Sequence, residues 1–360
     1  MTRASEALLL LLVGAVLGPD GIQLLSTEVL SFIDPVLPVA LVALGALVGL
    51  GSSAEGRREK RLLAAATTDA AVTVALVTGG MLLVAPSWGG TSSVPSWFVA
   101  VMLGVCAAPS AATAGSPPRL RGGVPAALRR TGGEQVIADR VGDLDALLPI
   151  VLGGIALAWL RAPSAADALL LALQACGIAL VIAAAAWLLI SRSSSETEQR
   201  VFTAALLLLL GGAADYLSLS ALLSGLVAGL FVEWVGGPAR DAIGRDVLQF
   251  QRPLLALVLL VTGARVDLPP SWIGFGVTFL LIRTAAKLVG GWAATRVAGP
   301  AAPRDLGIAL LSPGILGIAF ALNALRAAGP DGALVLSVAT VGTIGSELLA
   351  ALVRPREAAE

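Results

Sequence analysis

Val101-Met-Leu-Gly-Val-Cys-Ala-Ala-Pro109-Ser110-Ala-Ala-Thr113 is an apolar stretch interrupted at its middle by proline. A second one follows far downstream: Ile308-Ala-Leu-Leu-Ser312-Pro313-Gly314-Ile-Leu-Gly317. Proline removes a backbone donor and frees a carbonyl one turn earlier, so a helix unwinds or kinks there. One such proline is common in membrane helices and means little. Here each is followed by another apolar segment that carries an acid, Asp145 after the first and Glu347 after the second, at spacings of 36 and 34 residues. Unwound backbone at membrane depth persists only where it is buried in protein or lines a cavity. Matched interruptions in two halves of a chain point to an inverted repeat with a binding site between broken helices. Ala108, Pro109 and Ser110, with Ser312, Pro313 and Gly314, are therefore expected at a crossing.

Composition sets the solvent. Of the 360 residues, 57% are hydrophobic and only 13% charged, against about 25% charged in soluble domains. So much apolar surface has no place in water. The apolar segments run about 17 to 25 residues, the length of spanning helices rather than barrel strands. The formal net charge is zero, so no nucleic-acid footprint is visible. The two cysteines, Cys106 and Cys176, sit inside apolar segments and imply no disulfide framework. Histidine is absent, so proton chemistry must run on carboxylates or lysine. Nothing predicts an enzyme, a cofactor, or a metal beyond a transported ion. The first segment is followed by Gly18-Pro19-Asp20-Gly21 rather than a small-residue cleavage site.

Twelve apolar segments are expected, centred near Val13, Val42, Val74, Gly104, Val151, Val181, Leu208, Val227, Val258, Leu281, Gly317 and Val341. Basic residues alternate between their connections. Eighteen of the 24 fall on one side: Arg3, Arg57, Arg58, Lys60, Arg61, Arg119, Arg121, Arg129, Arg130, Arg192, Arg200, Arg240, Arg245, Arg252, Arg296, Arg304, Arg354 and Arg356. Three, Arg161, Arg265 and Arg326, fall on the other. The rich side is expected in the cytoplasm, with both termini there and an even number of spans. The two broken segments then run in opposite directions, as an inverted repeat demands. The expectation is one transmembrane domain over residues 1–360 in the inner (plasma) membrane. Its repeats would cover about 5–160 and 217–353, with linker helices over 164–215. The fold class is all-α polytopic, with about twelve transmembrane helices and five-helix inverted repeats.

A charge at bilayer depth costs about 2.5–3.5 kcal/mol on insertion scales, so each needs a reason. Asp145 lies deep in its segment and has no partner on its own helix, which makes it the leading ion or proton site. Asp143, about 200° away on a helix, faces elsewhere. With Asp139 and Arg140 it has the spacing of a local ion pair, yet it remains the alternative ion ligand. Arg283 and Lys287 share one helix face at i, i+4, where like charges repel unless other groups separate them. Lys287 either snorkels to an interface or takes part in proton exchange. Asp69 and Asp215 are read as interfacial capping or pairing residues. Glu347 fits a structural pair on its helix or a peripheral site.

Four stretches resemble the bacterial monovalent cation:proton antiporter family, in its sodium/proton exchanger and potassium efflux branch. They are Leu17-Gly18-Pro19-Asp20-Gly21-Ile22; Asp215 with the run Ser220-Ala-Leu-Leu-Ser-Gly225-Leu-Val-Ala-Gly229; Arg252-Pro253 with Val261-Thr-Gly263-Ala-Arg-Val-Asp267-Leu268; and Arg283, Lys287, Gly291 and Arg296. The similarity runs nearly the full length. It implies a homodimer with a core bundle and a dimerisation bundle, surrounded by lipid, and elevator-like alternating access. It implies that Asp145 binds cation and proton in competition, and that Lys287 balances charge or carries a proton. Two departures stand out. Leu144 precedes Asp145 where relatives carry a polar residue, and Pro109-Ser110 replaces a Thr-Ser pair.

The reading is a secondary active transporter exchanging H+ for Na+ or K+. Asp145 would hold the cation with help from Ala108, Ser110 and Ser312, and Arg283 and Glu347 would support the site. The alternatives are a K+ efflux pathway with weak proton coupling and a transport-inactive sensor or accessory protein of the same fold.

Overall fold

The computed structural model describes residues 3–52, 57–84, 95–110, 133–267, 269–300, 302–303, 305–329 and 332–353. Ala111, Ala112 and Thr113 of the first broken stretch lie outside the described residues. So do Leu268 and seven arginines of the orientation argument: Arg119, Arg121, Arg129, Arg130, Arg304, Arg354 and Arg356. In chain order the helices are α1 (Arg3–Leu17), α2 (Thr27–Ile33), α3 (Leu37–Leu50), α4 (Arg57–Val84), α5 (Ser96–Ala107), α6 (Gly133–Leu144), α7 (Leu147–Arg161) and α8 (Ala165–Arg192). They continue as α9 (Glu196–Tyr216), α10 (Ala221–Val235), α11 (Pro238–Arg265), α12 (Pro270–Ala298), α13 (Leu306–Ala309), α14 (Ile315–Ala328) and α15 (Gly332–Val353). Each of the twelve expected centres falls inside one of these helices. Seven helical segments are long and apolar enough to cross a membrane, and four shorter apolar helices accompany them. The protein is an all-helical, multi-pass membrane protein.

α8 shows how the solvent shapes the packing. Its buried residues are Ala168, Ala172, Ala175, Ala179, Ala183, Ala186 and Ile190, one stripe at helical spacing. Its large residues Leu169, Leu170, Leu173, Leu180, Val181, Leu188 and Leu189 are exposed. Small residues inward and large apolar ones outward is the pattern of a helix that meets neighbours closely and lipid broadly. Side-chain caps open the helices of this region: Ser164, Ser195 and Ser220 each accept a backbone N–H of the following first turn.

Glycine brings α3 and α10 together. A Cβ at Gly45 would lie 2.2 Å from the Leu222 carbonyl oxygen, and one at Gly225 2.1 Å from that of Val42. Gly49 and Gly229 repeat the contact one turn on. The two backbones touch, and any larger residue would push them apart. α1 packs on α11, and α4 on α12.

The arginines sort by end. Arg265 pairs with Asp34 at 2.5 Å. Arg326 donates to the Asp34 carbonyl at 2.5 Å and pairs with Asp215. Arg161 donates to the Ser218 carbonyl at 2.6 Å. The three arginines of the basic-poor side thus share one set of acceptors around Asp34 and the turn after Asp215. Elsewhere Arg240 pairs with Glu233 at 2.5 Å, and Arg140 with Glu59 at 3.1 Å.

Candidate functional site

The two broken stretches cross. α5 ends at Ala107, and Ala108, Pro109 and Ser110 follow without helical structure. α13 lasts one turn, to Ala309, and the chain then runs without helical structure, through a turn at Leu310 and a bend at Ser312, until α14 starts at Ile315. Ser110 and Pro313 pair in antiparallel register, and the Gly314 N–H donates to the Pro109 carbonyl at 3.0 Å. Gly314 is required: a Cβ there would lie 2.8 Å from the Ser110 carbonyl oxygen. All six residues expected at the crossing are buried.

Arg283 closes this junction from α12. Its Nε donates to the Ala107 carbonyl at 3.1 Å, and its Nη1 to the Leu311 carbonyl at 2.9 Å and to Ser346 Oγ at 2.9 Å. Ala107 and Leu311 each stand two residues before their proline. One guanidinium therefore serves carbonyls in both interrupted stretches, which a planar fork of donors does well. The i, i+4 crowding with Lys287 is relieved because the two side chains have different partners.

Asp145 sits where α6 gives way to α7. Asp145 and Ala146 form a turn between them, and Pro149 has no N–H to give the Asp145 carbonyl four residues earlier. The side chain is 0% exposed. Its Oδ2 accepts from the Ser110 backbone N–H at 3.0 Å and from Lys287 Nζ at 3.3 Å. Its Oδ1 has no hydrogen-bond partner among the described residues. Lys287 is equally buried, so it does not snorkel. Its ammonium donates to Ser110 Oγ at 2.9 Å and to Asp69 Oδ2 at 2.8 Å.

Asp69 corrects the sequence reading. Expected at a segment end, it lies well inside α4, is 0% exposed and is ion-paired with Lys287. Helix rise would have found it. Eight residues past Arg61, the last of a basic run, is about 12 Å of depth. Asp215 does lie at an end, in its pair with Arg326. Asp143 is half-buried and two residues away from the position that meets Ser110 and Lys287. Arg140 reaches across to Glu59 and to the Gly51 carbonyl at 2.9 Å, partners that local spacing did not suggest.

Ser312 is buried at the crossing, as expected. Its hydroxyl is on Glu347 Oε1 at 3.1 Å. The two serine–acid pairs mirror each other: Ser110 with Asp145 and Ser312 with Glu347, each 35 residues apart. Ala108 is buried against Ala70 and Val74. Among the described residues no three histidine, cysteine or acidic side chains come together as a resident metal site.

Chemically, the cluster is two carboxylates and one ammonium in a place without water-exposed surface. A buried carboxylate oxygen with no donor is costly unless something neutralises it. A proton or a monovalent cation at Asp145 would do so, and the two exclude one another.

No family model matches the chain, and no curated protein matches it in sequence. Among solved structures it is similar to the sodium proton antiporter MjNhaP1 from Methanocaldococcus jannaschii. The TM-score is 0.64 at 16% sequence identity, over 96% of this chain and 92% of that one. The two chains share a fold.

Proposed function

We propose that the chain is a secondary active transporter exchanging protons for a monovalent cation, Na+ or K+, by alternating access. The observation that carries this reading is Asp145. It is fully buried beside the crossing of two interrupted helices, and one of its oxygens has no hydrogen-bond partner among the described residues. A cation arriving there loses water and gains the carboxylate; a proton arriving there closes the same oxygen. One group that holds either ion, and never both, couples the two fluxes. The empty site is the state least suited to reorientation, because two carboxylates share one ammonium and leave a net negative charge buried.

The rest of the arrangement supports this division of labour. Ser110 positions Asp145 through its N–H, Lys287 balances its charge, and Arg283 keeps the crossing closed. The reciprocal packing of α3 on α10 and α1 on α11 fits two inverted five-helix repeats over about 5–160 and 217–353, with α8 and α9 between them. A homodimer embedded in the inner (plasma) membrane, with both termini in the cytoplasm, is the assembly in which we place it. The fold shared with a sodium proton antiporter agrees with this activity.

The test is proton flux in proteoliposomes on addition of Na+, K+ or Li+. We expect flux with at least one of Na+ and K+, and the ratio of the responses identifies the cation. No flux with any of them, from protein that is folded and inserted, overturns the reading in favour of a transport-inactive role.

A further inference from the structure

Lys287 is bonded to two carboxylates, and the exchange reaction uses only one. We propose that Asp69 is a positioning residue of the exchange site: it keeps the Lys287 ammonium while a cation occupies Asp145. This rests on the reading of the chain as an exchanger. A cation at Asp145 repels the ammonium that was balancing it. A buried ammonium left without a carboxylate is strongly unfavourable. Asp69 removes that difficulty, because the lysine can give up one partner and keep another.

The geometry is built for this. The ammonium stands 2.8 Å from Asp69 Oδ2 and 3.3 Å from Asp145 Oδ2, so Asp69 is its nearer partner. All three side chains are 0% exposed. Ser110 Oγ gives Lys287 a further acceptor at 2.9 Å. Gly290, on the next turn of α12, lets Asp69 approach, since a Cβ there would lie 2.5 Å from Asp69 Oδ1. Leu144, the neighbour of Asp145, is packed instead among Leu62, Ala65, Ile137 and Val141. It offers the lysine no charge, and the second carboxylate on the ammonium comes from α4. The other charges nearby are engaged: Arg283 with backbone carbonyls and Ser346, Glu347 with Ser312.

The experiment compares Asp69→Asn with wild type in proteoliposomes. With Asp69 neutral, the ammonium has Asp145 alone and competes with the incoming cation. We expect the half-saturating cation concentration to rise about tenfold, the equivalent of one modest ion-pair contact, with the maximal rate changed far less. Asp69→Glu should recover most of the loss. A cycle with Lys287→Met, read by thermal melting of the purified protein, needs no transport. Asp69→Asn should lower the Tm in the wild-type background and leave it unchanged or raise it beside Lys287→Met. If Asp69→Asn alone does not insert, recovery of inserted protein in the double variant supports the same coupling. An unchanged half-saturating concentration, equal Tm losses in both backgrounds, or failure of both variants to insert overturns the proposal. Absence of flux in wild type would sink the exchange reading instead, and the melting cycle would still report on Asp69.

Discussion

Asp145 and Lys287 face each other in a place that neither could occupy alone. Among the described residues, the Asp145 carboxylate has two donors on Oδ2 and none on Oδ1. Asp145→Asn keeps the shape and removes the charge, so we expect the variant to insert normally and to lose exchange. Exchange like that of wild type would reject Asp145 as the ion ligand and move the ion to Asp143. Competition at one oxygen also fixes the sign of the pH effect. Below the pH at which protons begin to win, the half-saturating cation concentration should rise by about tenfold per pH unit, because each site loses to a single proton. A flat profile measured over two units would show that proton and cation do not share a group. Lys287→Gln should shift the pH of half-maximal exchange together with cation affinity. The depth of Asp145 is legible in the sequence, because it lies inside an apolar segment with no partner on its own helix, and it is fully buried. The depth of Asp69 is not, because it falls toward one end of its apolar segment. The partner that gives it meaning is 218 residues away.

The broken helices work as a pair of elements, held at one point by backbone pairing and by Arg283. Gly314→Val would place a side chain against the Ser110 carbonyl, where even a Cβ lies at 2.8 Å. We expect it to separate the breaks and abolish exchange, with Gly314→Ala less severe; normal exchange in the valine variant would show that the crossing need not be tight. Arg283→Met leaves the Ala107 and Leu311 carbonyls and Ser346 without their donor. The two orphaned buried carbonyls alone, at about 1–3 kcal/mol each, predict a loss of roughly 2–6 kcal/mol of stability, readable as a lowered Tm. Arg283→Lys should rescue only part of it, since one ammonium has no planar fork. At this scale proline was a good signal only in context. Pro109 and Pro313 end helices, whereas Pro253 lies inside the continuous α11. What separated them in the sequence was company: small and hydroxyl residues around the first two, and an acid in the segment that follows each.

Across the molecule, packing is reciprocal. α3 meets α10 and α1 meets α11, while α4 meets α12, the exchange of partners that two inverted halves would produce. Apolar run length was enough to put all twelve expected centres inside helices, since a spanning helix needs its full complement of apolar residues, but it did not separate out the short α2, α6 and α13. Nor did it set the register between halves, because glycine contacts such as Gly45 on Leu222 depend on facing surfaces that no local pattern specifies. The charges enclosed by the fold lead to the last prediction. Asp69, Asp145 and Lys287 sum to one negative charge. Arg283 and Glu347 add one of each sign and leave that sum unchanged. One monovalent cation neutralises the cluster, and so does one proton. The loaded carrier then has the same charge in both directions of its cycle, and exchange should be one for one and electroneutral. The measurement is counterflow in proteoliposomes under a diffusion potential set by a permeant anion, with cation and proton fluxes counted together. We expect a ratio of one and a rate insensitive to the potential. A ratio of two protons per cation, or a rate that follows the potential, would mean that Lys287 gives up its proton during the cycle. Asp69 would then face a neutral amine rather than an ammonium and would need another partner for its charge.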